Sequence, residues 1–137
     1  MAPQEDAMTT TIARACAMTL ATVALLGTGL APAAADPSGT WLRENGESRV
    51  RMSKCGDAIC GTITWLKDPA NTKSKVGQRV FFDMKPSGAN AWAGKAFNPE
   101  DGQTYSGKIT LSGATMTTAG CVAGGWICRS VSWSKVN

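Results

Sequence analysis

The residue types able to do chemistry in this chain are few: two close cysteine pairs, Cys55/Cys60 and Cys121/Cys128, adjacent acids at Glu100-Asp101, and a single tyrosine, Tyr105. There is no histidine, which removes the usual general base, the hydrolase triad and most zinc sites. Glu100 and Asp101 suggest a glycosidase pair, yet they lie in Asn98-Pro99-Glu100-Asp101-Gly102, a turn by every residue in it, where neighbouring side chains diverge. Asp57, in Gly56-Asp57-Ala58, is explained by an Asx-type turn. No Gly-x-Ser-x-Gly surrounds a serine, and no glycine-rich phosphate loop precedes a helix. No catalytic residue, cofactor or metal is therefore expected, and the chain reads as a protein that is not an enzyme.

The cysteines read as structural. Neither pair has the Cys-x-x-Cys spacing of a redox site, and both spacings are wider than the usual zinc knuckles. Of the five cysteines, Cys16 lies in the leader predicted below and the other four survive its removal; an even number in a small exported chain implies disulfides, for which three connectivities exist. The local pairs, Cys55 with Cys60 and Cys121 with Cys128, are favoured because each brackets a turn-rich segment. Loops so short contribute about 2 kcal/mol each, enough to fasten a hairpin rather than hold a domain.

Export is predicted from the first 35 of the 137 residues. Arg14 supplies a positive start, Ala15 to Leu30 is almost wholly apolar or small, and Ala33-Ala34-Ala35 offers a signal-peptidase site with cleavage before Asp36. Glu5 and Asp6 are unusual so early in a leader, and a start at Met8 gives one of ordinary length. The apolar run, interrupted by Gly27 and Gly29, is shorter than a membrane span prefers, so no stable membrane anchor is expected after cleavage. The predicted organisation is a signal peptide over 1–35 and one domain over 36–137, located in the periplasm or secreted. The net charge of +4 carries no block of like charge. Arg49, Arg51 and Lys54 come nearest to a basic stripe and read more simply as the solvent side of a strand, so no nucleic-acid partner is expected.

From Asp36 onward short alternating runs recur between Gly, Pro, Asn and Asp clusters, with no sustained helical period. The runs fall at 39–43, 47–53, 59–67, 78–84, 91–97, 104–112, 114–121 and 126–135, and Asn45-Gly46 is a strong two-residue hairpin signal. In phase on their strands are Ile63 with Trp65, Val80 with Phe82 and Met84, Trp92 with Ala96, and Tyr105 with Ile109. Asp68 to Gly77 is the longest polar connection and the best candidate for a mobile loop. About eight strands joined by sequential hairpins must hide two sheet edges, and closure into an antiparallel up-and-down barrel does so. The expected fold is all-β.

Cys55 to Leu66, Asn98 to Lys108 and Cys128-Arg129-Ser130-Val131-Ser132-Trp133 together resemble the bacterial exported family DUF2147 over nearly all of 36–137. That resemblance implies a lipocalin-like barrel in the periplasm or secreted, with no settled activity. A narrower resemblance is to the lipocalins themselves, whose first strand carries Gly-x-Trp and whose last strand region supplies an arginine packed over that tryptophan. Gly39-Thr40-Trp41 and Arg129 match those parts, with Arg129 either stacked on Trp41 or a surface arginine at a strand end.

The in-phase residues Val50, Met52, Ile63, Trp65, Phe82, Trp92, Tyr105, Ile109 and Met116 are the candidate lining of a ligand cavity, or else plain core. Tyr105 stands out, because a buried phenol wants a partner and can orient a ligand. The expected function is to hold a small, partly apolar molecule in the barrel. The alternative is a protein-binding module, such as an inhibitor of a secreted hydrolase, acting through Asp68 to Gly77 and Lys85 to Asn90, with its protein partner unknown.

Overall fold

The computed structural model describes residues 35–137, so the predicted leader, all but Ala35, lies outside the described residues. Eight strands follow in order: β1 Gly39–Arg43, β2 Ser48–Cys55, β3 Ala58–Leu66, β4 Arg79–Gly88, β5 Ala91–Asn98, β6 Gln103–Ser112, β7 Thr115–Val122 and β8 Ile127–Lys135. Each pairs antiparallel with its neighbours in sequence, and β1 pairs with β8 to close the barrel. The seam runs Trp41 opposite Lys135, Leu42 opposite Ser134 and Arg43 opposite Trp133. Reciprocal bonds beyond it, Thr40 N to Asn137 O and Val136 N to Thr40 O at 2.9 Å each, lengthen the join.

The turns follow their chemistry. At Asn45-Gly46 the glycine takes a φ of 74°, and the Asn45 side-chain oxygen accepts from the Glu47 amide at 3.0 Å. The connection over 68–77 is built the same way, with Asp68 accepting from Ala70 N and Asn71 from Lys73 N and Ser74 N. It is tied to β3 by Gly77 N to Ile63 O at 2.8 Å and Ile63 N to Gln78 O at 2.9 Å. Both local disulfides form. Cys55–Cys60 straddles the β2–β3 turn at one end of the barrel, and Cys121–Cys128 joins register partners on β7 and β8 at the other.

Bulges shift the phase of two strands from the expected alternation. Arg49 faces Trp65 while Val50 faces Ile63, so Thr64 is an extra residue on β3. Trp65 is thereby turned outward, 38% exposed, with the Arg49 guanidinium 5.0 Å above its ring, and Leu66 packs against the core in its stead. On β4, Gly61 faces Phe81 while Ile59 faces Met84, an irregularity accompanied by a φ of 49° at Asp83. Phe81 is therefore buried, and Phe82 pairs with the exposed Lys95 on the outer side and is only half-buried. β4 also continues past Met84 to Gly88, so most of the expected Lys85–Asn90 loop is strand.

The cation over Trp41 is a lysine, and Arg129 takes the other place open to it, a surface position near the start of a strand. Lys135, directly across the seam, places its ammonium 5.7 Å from the Trp41 ring, while Arg129 lies further along β8 and is exposed. The Trp41 indole N–H donates to the Pro37 carbonyl at 2.9 Å, which satisfies its one polar atom inside the core.

Packing is dense where glycines let strands and side chains approach. A Cβ on Gly94 would come within 2.5 Å of the carbonyl oxygens of both Phe82 and Asp83, groups fixed in the backbone of the β4 bulge. We expect Gly94→Ala to cost about 1–3 kcal/mol, as overpacking against rigid atoms does. The same change at Gly120, whose Cβ would meet Tyr105 Cβ at 3.4 Å, should be nearly neutral. Urea unfolding midpoints check this, and equal midpoints for the two variants would contradict so tight an approach.

Candidate functional site

The two ends of the barrel are filled differently. At the end bearing the β2–β3, β4–β5 and β6–β7 turns, Trp41, Met52, Met84, Ile109 and Met116 are each 0–1% exposed, and Pro37 is fully buried with them. Trp92, Ile59 and the partly buried Leu111 complete this packing. These side chains form one packed core.

The other end is open. A cavity of about 620 Å³ lies beneath the β3–β4 connection, the β5–β6 turn and the β7–β8 hairpin. Its apolar wall includes Val50, Ile63, Val80, Phe81, Val131 and Trp133. The Trp133 indole donates to Thr118 Oγ1 at 2.9 Å, and its ring meets Phe81 edge-on at 6.3 Å between centroids. Ser48, Arg43, Arg129, Tyr105 and the acids of the β5–β6 turn add polar groups. The hairpin lip is apolar and exposed at Val122 and Ile127, beside Trp126, which is 89% exposed.

The nine candidate lining residues thus separate. Val50, Ile63 and Tyr105 line the cavity. Met52, Trp92, Ile109 and Met116 are core at the filled end, Trp65 faces outward, and Phe82 sits on the outer side of β4. Arg43, Phe81, Thr118, Val131 and Trp133 line the cavity without having been singled out as lining. For Val131 and Trp133 the signal was present in the sequence, since both share a face of β8 with Ile127 and Arg129. The loops 68–77 and 85–90 lie at opposite ends of the barrel and do not form one surface.

Tyr105 stands at the mouth rather than in the core. Its hydroxyl donates to the Asp101 carboxylate, which also accepts from the Gln103 amide at 2.9 Å. The Tyr105 hydrogen bond, then that from Gln103, holds Asp101 below its ordinary 3.8. The same bond to Asp101 pushes the phenol above its ordinary 10.0, while the nearby Arg129 charge opposes that rise. The turn acids therefore order the rim. Among the described residues there is no cluster of three or more metal-ligating groups.

Residues 39–135 match the family DUF2147, described as an uncharacterized protein conserved in bacteria. No curated protein matches the chain. Among solved structures it is similar to protein HP1028 from the human pathogen Helicobacter pylori, described as belonging to the lipocalin family, with a TM-score of 0.58 and 16% identity over 74% of this chain and 84% of that one. At that identity the likeness is one of fold.

The rim bond makes a prediction with a defined sign. Its stabilisation is present when Tyr105 is protonated and Asp101 ionised, is lost as pH falls through the lowered Asp101 value, and is lost again as pH rises through the raised Tyr105 value. In Tyr105→Phe the Asp101 carboxyl should titrate at higher pH than in the wild type, followed by NMR of its side-chain carbon. An unmoved titration would show that the bond does not persist in solution.

Proposed function

The chain belongs to the DUF2147 family, and we propose that it is an exported binding protein that holds a small, partly apolar molecule in the open half of its barrel, without covalent chemistry. The observation that carries this reading is the cavity of about 620 Å³, whose wall is apolar at Val50, Ile63, Val80, Phe81, Val131 and Trp133 and also carries polar groups. That volume falls within the roughly 300–1,000 Å³ typical of small-molecule sites. Eight-stranded barrels have an interior just wide enough to be filled or to hold one small ligand, and here one end follows each course. The lipocalin-family likeness of fold supports the same direction.

An extracytoplasmic location fits the two disulfides, which persist in oxidising compartments. No helix among the described residues is long and apolar enough to cross a membrane.

Native mass spectrometry of the protein isolated from the cells that make it tests the reading. A co-purifying small molecule is expected, displaced when Val131→Trp fills the cavity and retained in Trp65→Ala, whose side chain lies outside the wall. A clean apo mass, or retention unaffected by Val131→Trp, would refute binding in this cavity. Protein partners captured in place of a small molecule would favour the loop-mediated alternative.

A further inference from the structure

The cavity holds more charge than an apolar cargo requires, and the charges of opposite sign are not equally engaged. Four charged side chains line it: Arg43, Arg129, Glu100 and Asp101. Both acids are occupied. Glu100 lies 3.6 Å from the Lys73 ammonium, and Asp101 accepts the Tyr105 hydroxyl and the Gln103 amide. Among the described residues neither arginine has a side-chain hydrogen bond or ion pair, and the Arg43 Nε is buried with no partner there.

That imbalance is chemically specific. A guanidinium cannot shed its proton to escape burial, as a lysine or histidine can. A buried donor without an acceptor costs about 1–3 kcal/mol, so Nε, the buried atom of this partly exposed side chain, favours an acceptor brought into the cavity. A neutral apolar cargo would bring none. A carboxylate brings one, because two oxygens match the planar fork of the guanidinium.

Register places Arg43 level with Trp133. From Trp133 toward the mouth the same face of β8 presents Val131, Arg129 and Ile127. An acid group at Arg43 therefore has apolar wall above it and ends at the lip, where Ile127 and Val122 expose 65% and 43% of their surface. Resting on the carrier reading above, we propose that the cargo is an amphipathic carboxylate, its acid group inward on Arg43 and its apolar body running past Val131 to the Val122/Ile127 lip. Arg129 stands nearer the mouth, beside Tyr105, and adds attraction without being the principal contact.

Isothermal titration of the full-length mature protein with decanoate and with 1-decanol, both below aggregation, separates head-group recognition from simple apolar binding. Decanoate should bind about tenfold or more tightly than decanol, as loss of one charge-assisted contact implies. Arg43→Gln should abolish that preference while leaving decanol affinity within about twofold, and Arg129→Gln should reduce it by less. Equal affinities for the two probes in the wild type would overturn the carboxylate assignment while leaving the carrier reading standing, and this comparison needs no variant to fold. A preference that survives in a folded Arg43→Gln, or that is lost only in Arg129→Gln, would overturn the role given to Arg43. Binding of neither probe would overturn the assignment and the carrier reading together.

Discussion

The structure depends on the seam between β1 and β8. An antiparallel meander has two open edges, each a row of unpaired N–H and C=O groups, and joining the first strand to the last satisfies both at once. The seam is short, because β1 has only five residues. Its neighbourhood is correspondingly fortified. Trp41 is buried beside it, bonded to Pro37 and capped by Lys135, and Trp133 is buried on its other strand, bonded to Thr118. Two large aromatic side chains, each with its indole N–H satisfied, brace opposite sides of the weakest join in the wall.

The short first strand also decides where the opening lies. β1 ends at Arg43, level with Trp133, while β8 continues beyond that level through Val131 and Arg129 to Ile127. One end of the barrel is filled by large apolar side chains, with Met52, Met84 and Met116 packed among Trp41, Trp92 and Ile109. The other is lined by smaller or rim-directed groups, including Ala96, Ala119 and Gly120, and stays hollow. On β7 residue size marks the division, with Met116 in the core and Gly120 at the cavity.

The strands were legible in the sequence because a half-buried ribbon imposes a period of two, and Thr104 to Ser112 keeps that period without a fault. The hairpin turns and local disulfides were legible for similarly local reasons. Trp65 and Phe82 were misplaced because a single extra residue reverses the facing of everything beyond it, and neither bulge has a marker in composition. Thr64 is an ordinary strand residue, and Asp83 shows its left-handed backbone only in three dimensions. The filled and hollow ends were equally hidden. Ile63 and Ile109 look alike in sequence, and which of them meets a cavity depends on how far along the barrel each strand begins.

Arg43 was hidden for a different reason. At the end of a short strand before Glu44 and Asn45 it reads as a solvated charge, the ordinary place for arginine. Closure turns that position inward, because the residue opposite it is Trp133 rather than water. A folding chain that needed only a filled barrel gains little from a permanently charged group here, since an apolar side chain of similar volume would avoid the desolvation of its Nε. The wall is otherwise economical with polar atoms: the indoles of Trp41 and Trp133 each have an acceptor, and each rim acid has its donor. Against that background the unpartnered Arg43 Nε is, among the described residues, a buried side-chain atom that departs from the pairing core packing demands, and such departures are expected at functional sites.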